Sequence, residues 1–282
     1  MGIERIGICG SGIMGSGIVQ AAAQAGHDAF LRSRSPESAT ATRDAVAARL
    51  DKLVARERLS ADDRDATMAR ITTTDELDAL ADCDLVIESV VEDLEVKRLL
   101  FAELDSVCKP HTLLATNTST LPVVELAMST GRPSQVCGVH FFNPVHAMPL
   151  VEIVRPLTAS DDTVAAVREF AVRCGKSPVE VKDEAGFVVN ALLFPYLNSA
   201  IAMLERGTAS MEDIDAAMQG GANFPMGPFA LLDLVGLDTS LAILDALHAE
   251  FGRPCDAAAP TLRRLVAAGR LGRKTGQGFY SY

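Results

Sequence analysis

The sequence predicts an α/β chain in which a doubly wound parallel sheet over residues 1–184 precedes an all-helical domain over residues 185–282. Three observations carry this. Short apolar runs alternate with longer amphipathic ones through the first part, as buried parallel strands alternate with crossover helices. A glycine-rich turn, Gly10-Ser11-Gly12-Ile13-Met14-Gly15, joins the first apolar run to the first helical segment. From about Glu184 the strand-like runs stop and helix follows helix, so the boundary falls near Asp183–Gly186.

Taken in order, residues 3–9 read as a strand, 14–25 as a helix and 29–32 as a second strand. A long charged helix runs from Pro36 to about Arg58, with proline at its opening turn. Residues 85–89, 113–116 and 136–139 are further apolar runs bounded by turn or cap residues, and runs at 150–154 and 179–182 extend the sheet. Right-handed crossovers between successive strands follow from chain chirality. The second domain offers helices at 187–205, 211–218, 229–235, 239–250 and 261–267. Residues 185–204 carry no charge and have the length of a bilayer span. They also contain Asn190, Pro195, Asn198 and Ser199, which favours a buried core or subunit-interface helix over a membrane segment.

Composition narrows the functional classes. With 282 residues, 48% hydrophobic and 22% charged, the chain can bury its core without disulfides or a structural metal. A net charge of −11 argues against nucleic-acid binding, which needs a cationic face. The opening residues MGIERIGICG place charges inside the apolar stretch, unlike a secretory signal. The six cysteines form no CxxC pair and no cluster with histidine, so neither a zinc site nor a disulfide framework is expected. A reducing, cytoplasmic setting fits them.

The glycine turn has a mechanism in this context. Gly10 permits the tight turn, Gly12 lets a pyrophosphate approach the backbone, and Gly15 lets helix and strand pack closely. The amides of Ile13, Met14 and Gly15 open the helix and present N–H groups and a positive dipole end to phosphate. This is the fingerprint of a Rossmann-type dinucleotide unit. In such units a carboxylate ending the second strand bonds the ribose 2′-hydroxyl of NAD. Here the chain reads Phe30-Leu31-Arg32-Ser33-Arg34-Ser35, with no carboxylate. Ser33 is neutral and Arg34 supplies a guanidinium fork for a 2′-phosphate, which favours NADP over NAD. The plainer alternative is that the arginines merely solvate a strand end.

Three segments carry the chemistry: Ala115-Thr116-Asn117-Thr118-Ser119-Thr120, Gly138-Val139-His140-Phe141-Phe142-Asn143-Pro144 and Leu150-Val151-Glu152-Ile153-Val154. Each sets polar residues at or within a short apolar run, and strand-end loops surround the ligand crevice of open α/β sheets. A histidine with a carboxylate at its other nitrogen is a poised acid/base, and adjacent strands can bring His140 and Glu152 together. From the residues alone, a histidine beside two phenylalanines is more often a satisfied core residue than a catalyst.

These segments, with DEAGFVVNALLFPYLNSA and KTGQGFYSY, resemble the 3-hydroxyacyl-CoA dehydrogenase family, its bacterial 3-hydroxybutyryl-CoA dehydrogenases included. The likeness runs from the glycine turn to the C-terminus. It implies catalytic roles for Ser119, His140, Glu152 and Asn190, with His140 exchanging a proton with the substrate 3-hydroxyl and Glu152 orienting it. Ser119 and Asn190 would hold the substrate oxygens where charge develops. The resemblance sets Glu92 and Lys97 near the nicotinamide end of the cofactor; a helix-surface ion pair is the bland reading of the same two residues. Asn117 is assigned to the cofactor and Asn143 to the substrate. Coenzyme A contacts are expected along the basic run of Arg49, Lys52, Arg56 and Arg58, charges that a solvated helix face also explains. Ser33 departs from the aspartate usual in NAD-using members, which bears on the cofactor and not on the reaction. The expected partners are an acyl-CoA substrate and a second copy of the chain in a homodimer, with no nucleic acid, membrane or metal. Two alternatives accompany this reading: a relative acting on a carrier-protein-bound 3-hydroxyacyl group or a free hydroxy acid, and a non-catalytic, crystallin-like structural relative.

Overall fold

A sheet whose central strands are buried on both faces organises the first unit, residues Met1–Asp183. The computed structural model describes residues 2–282, so Met1, part of the first-domain and N-terminal sequence readings, lies outside the described residues. The strands are β1 (Arg5–Cys9), β2 (Asp28–Arg32), β3 (Ile71–Thr74), β4 (Leu85–Glu88), β5 (Leu113–Thr116), β6 (Val136–Phe141), β7 (Leu150–Arg155) and β8 (Ser177–Lys182). They form one 8-stranded sheet in the order β3-β2-β1-β4-β5-β6-β7-β8. Helices α1 (Ile13–Gln24), α2 (Pro36–Val54), α3 (Ala61–Ala69), α4 (Leu94–Val107), α5 (Val123–Ala127) and α6 (Asp161–Arg173) connect them. Ile6, Ile8, Leu31, Leu85, Ile87, Val139 and Ile153 fill the core around the sheet.

The sheet is parallel from β3 through β6, and there it departs from the expected pattern. β7 runs antiparallel to β6, and β8 is parallel to β7. The reason is connection length: a parallel crossover needs a dozen residues or more, and residues 142–149 between β6 and β7 are too few. The charged helix is shorter than the sequence suggests, and a further helix follows it that the sequence reading does not include. α2 stops at Val54, a turn with Glu57 at φ 55° intervenes, and α3 begins after Ser60, whose side chain caps it. β3 was not foreseen: it is a short edge strand, Ile71-Thr72-Thr73-Thr74, with only its first residue buried.

The second unit, Glu184–Tyr282, is helical: α7 (Val189–Glu205), α8 (Met211–Ala222), α9 (Pro228–Val235), α10 (Leu237–Phe251) and α11 (Pro260–Ala267). Phe194, Leu197 and Ile201 of α7 pack with Phe229, Leu232, Leu244 and Leu262. The side-chain amide of buried Asn198 donates to the carbonyls of Cys255 and Ala257 and accepts from Ala259 N–H, so this polar residue of α7 is satisfied within the unit. Among the described residues, no helix is long and apolar enough to cross a membrane. The C-terminal KTGQGFYSY segment is anchored by buried Asp233, which accepts from the amides of Phe279 and Tyr280 at 2.9 and 2.8 Å. A Cβ at Gly278 would lie 2.0 Å from the Asp233 carboxylate, so that close approach requires glycine.

Candidate active site

The glycine turn sits at the C-terminal end of β1. Gly10 has φ +121°, and a Cβ there would lie 2.2 Å from the carbonyl oxygen of Ser89. A Cβ at Gly15 would lie 1.9 Å from the Gly10 carbonyl oxygen, so the turn closes on α1 only with glycine at both places. Gly12 differs, because nothing lies within 4 Å of its Cβ position. It caps α1 without a side-chain hydrogen bond, and the first turn carries no acidic residue. The leading amides of α1, at Ile13, Met14 and Gly15, therefore face an open space suited to a phosphate. These features fit a dinucleotide's pyrophosphate.

Beside this turn lies a cleft of about 830 Å³, lined by Gly12, Ser33, Arg34, Val91, Leu99 and Glu103 among others. Ser33 is buried and its Oγ lies 2.9 Å from Ser11 Oγ. Arg34 is exposed and makes no hydrogen bond or ion pair among the described residues. The end of β2 thus offers a hydroxyl and a free guanidinium, and no carboxylate.

The proton-transfer candidates lie further along the same sheet. In the antiparallel β6–β7 ladder His140 and Glu152 are direct register partners, so their side chains leave the same face. His140 Nδ1 lies 2.8 Å from Glu152 Oε2, with both residues buried. A carboxylate only accepts, so Nδ1 carries the hydrogen and Nε2 keeps its lone pair. Nε2 lies 3.0 Å from Ser119 Oγ, on the loop after β5. Asn117 opens that loop and its side-chain oxygen accepts from Phe141 N–H at 2.8 Å, pinning the loop to β6. The structure thus brings Ser119, His140 and Glu152 together. Asn190 begins α7 in the second unit and is buried there. Asn143 is exposed in the connection after β6.

Lys97 is not on a helix surface. Its side chain is 1% exposed and its Nζ lies 2.6 Å from Glu88 Oε1 and 3.2 Å from Glu92 Oε2. Glu92 Oε1 in turn accepts from Thr118 Oγ1 at 2.5 Å and from Ser119 N–H at 2.9 Å. Sequence reasoning missed Glu88, which is fully buried and also accepts from Val90 N–H and Thr116 Oγ1. The available signal was a carboxylate closing the otherwise apolar run Leu85-Val86-Ile87-Glu88. In the basic run, Lys52 and Arg56 are exposed, whereas Arg49 donates to Gln20 Oε1 at 2.9 Å and to Ser16 Oγ at 2.7 Å. Arg49 ties α2 to α1, so the free cations of the run lie beyond it.

Comparison with known proteins agrees with this geometry. Residues 5–184 match the 3-hydroxyacyl-CoA dehydrogenase NAD binding domain and residues 186–282 match the C-terminal domain of the same family. The chain is 45% identical to a 3-hydroxybutyryl-CoA dehydrogenase of Mycobacterium tuberculosis, over 99% of each chain. It is 42% identical to the human mitochondrial hydroxyacyl-coenzyme A dehydrogenase, over 99% of this chain and 91% of the relative. Among solved structures, M. tuberculosis FadB2 superposes with a TM-score of 0.98 at 45% identity, covering 100% of both chains. The (S)-3-hydroxybutyryl-CoA dehydrogenase PaaH1 of Ralstonia eutropha gives 0.97 at 41% identity, covering 99% of each. The chain, with its glycine cradle and its paired His140 and Glu152, belongs to the 3-hydroxyacyl-CoA dehydrogenase family.

Proposed function

We propose that this chain interconverts a 3-hydroxyacyl-CoA, such as 3-hydroxybutyryl-CoA, and the corresponding 3-oxoacyl-CoA. The observation that carries this reading is the Ser119–His140–Glu152 array at the end of the sheet that holds the dinucleotide cradle. When bound, the nicotinamide cofactor supplies hydride-transfer chemistry, which the side chains of this protein do not possess. His140 Nε2 accepts the proton of the substrate 3-hydroxyl in oxidation and returns it in reduction. Glu152 holds the Nδ1–H tautomer and stabilises the imidazolium that forms. Ser119 Oγ steers the substrate oxygen, and Asn190 is assigned a companion role in holding the substrate oxygens where charge develops. The exposed side chains of Lys52 and Arg56 are assigned to the phosphates of coenzyme A.

The amides of α1 hold the pyrophosphate, and the Ser33–Arg34 pair favours NADP over NAD. A homodimer is supported by the exposed apolar residues Leu192, Leu234 and Val235 of the second unit, at 72%, 50% and 36%. A cytoplasmic location is supported by free cysteines, with burial pushing the thiols of Cys83 and Cys137 up to about 12. Fractionation of the native host would check that location.

The test is turnover of acetoacetyl-CoA by wild type and His140→Gln. Loss of a positioned acid/base costs about 10²–10⁴-fold in kcat, with dinucleotide affinity kept. A folded His140→Gln protein with wild-type kcat would refute the assignment. Wild-type activity confined to a carrier-bound or free hydroxy acid would move the substrate away from coenzyme A, and no activity on any of them would leave a structural role.

A further inference from the structure

A buried carboxylate with three hydrogen-bond partners lies beneath the site and takes no part in the chemistry proposed above. Glu88, at the end of β4, is 0% exposed. Its Oε1 accepts from Lys97 Nζ at 2.6 Å and from Val90 N–H at 2.6 Å, and its Oε2 accepts from Thr116 Oγ1 at 2.7 Å. The Glu88 backbone carbonyl accepts from Asn117 N–H at 2.8 Å, so one residue grips the base of the Asn117–Ser119 loop by main chain and side chain. Removing charge from water is costly, and a buried ion pair seldom adds stability over an apolar pair of similar shape. An ammonium buried with a carboxylate at this depth therefore calls for a role other than holding the fold together.

The contacts supply one. From Glu88 a continuous polar chain runs to Lys97, from Lys97 to Glu92, and from Glu92 to the hydroxyl of Thr118 and the amide of Ser119. Ser119 Oγ then meets His140 Nε2. Lys97 sits between two carboxylates and has little room to choose another rotamer, because Glu88 pins it from the buried side. Glu92 is 40% exposed at its side chain and would be free to turn into solvent without that fixed cation. We propose that Glu88 is a positioning residue for the reaction: by clamping Lys97 it fixes Glu92, and Glu92 sets the Thr118–Ser119 backbone from which the Ser119 hydroxyl reaches His140. The assignment rests on the reading of Ser119 and His140 given above.

Glu88→Gln keeps the size of the side chain and removes its charge. Displacement of a positioning group by even a fraction of an ångström is felt in turnover, so kcat with acetoacetyl-CoA is expected to fall about ten-fold while KM for the dinucleotide stays within about two-fold. The same substitution placed in Ser119→Ala is expected to cost less than about two-fold, since residues acting through one another are not additive. Two results overturn the proposal: wild-type kcat in folded Glu88→Gln, or an equal fold-loss in both backgrounds, which marks independent structural damage. If Glu88→Gln does not fold, Thr116→Val removes one hydrogen bond to the carboxylate, and the same comparison with Ser119→Ala decides by the same criteria. His140→Gln measured alongside separates the two levels: if it retains wild-type kcat the proposed function fails, and if it alone is impaired only the role of Glu88 fails.

Discussion

Changing Ser33 to Asp together with Arg34 to Gln inverts the electrostatics at the end of β2. In the wild type a buried hydroxyl, 2.9 Å from Ser11 Oγ, and an exposed, unpaired guanidinium line the same cleft. Arg34 bonding a 2′-phosphate contributes about 1.5–3 kcal/mol, the range for a hydrogen bond to a charged group. That corresponds to a preference for NADPH of roughly one to two decades in affinity. The substitutions remove this bond and add a carboxylate. At about 6–8 Å from a phosphate charge and an effective dielectric of about 20, the repulsion is about 2–3 kcal/mol before salt screening. Together these come to about 3.5–6 kcal/mol, an expected swing in the NADPH-to-NADH affinity ratio of roughly two and a half to four decades before salt screening. Ser11 can donate to the new carboxylate, so the fold is expected to accept it. Fluorescence titration of wild type and variant with each reduced dinucleotide, at one fixed salt concentration, measures the swing. Equal or tighter NADH binding by the wild type would refute the NADP assignment, and an unchanged ratio in the variant would place recognition elsewhere.

Three further outcomes are expected. His27 is fully buried with both ring nitrogens lacking a hydrogen-bond partner, and burial, with the Arg173 charge, holds its pKa below the usual value. Between that lowered value and about 6.5 the unfolded chain binds more protons, so stability decreases as pH is lowered through this window and is unaffected above it; urea midpoints at about pH 7.5 and 5.5 should diverge less in His27→Leu than in wild type, and equal divergence would count against the assignment. Gly15→Ala forces a Cβ to within 1.9 Å of the Gly10 oxygen and should cost about 1–3 kcal/mol of stability. Gly12→Ala meets no atom within 4 Å, so it should leave Tm in place and weaken dinucleotide binding about ten-fold; the reverse pattern in calorimetry and titration would be incompatible with the cradle. Sedimentation of the detergent-free protein at micromolar concentration should give a dimer, and a monodisperse monomer would end that proposal.

Much of the sheet is legible in the sequence because strands such as Leu85–Glu88 and Val136–Phe141 are buried throughout and read as unbroken runs. β3 escapes because an edge strand buries little: three of its four residues are threonines, so it presents no apolar run. The reversal of β7 is carried by connection length and not by residue type, so a list of apolar runs does not show it. At the site, His140 and Glu152 stand out as polar residues within apolar strands. Lys97 and Arg49 do not, because a charged residue on an amphipathic helix looks solvent-facing until its neighbours are known. Lys97 turns inward to Glu88, and the Arg49 fork is taken by Gln20 and Ser16. Lys52, with a similar sequence setting, remains exposed.

The pairing of His140 with Glu152 is a property of the β6–β7 ladder, and this divides the hairpin into two parts under different constraints. A slip of one residue between these strands would send the two side chains to opposite faces, so the dyad is as securely registered as the hydrogen bonds flanking it. In the connection 142–149 the constraint falls on Phe142, whose ring lies 4.5 Å from that of His140, and Val145, which is buried in the core; the residues around them are exposed. Lengthening a surface connection costs little, since closure entropy grows only logarithmically with length. Grafting a longer or differently shaped tip onto this hairpin therefore offers a way to alter what sits beside the imidazole while its protonation machinery is inherited unchanged from the sheet.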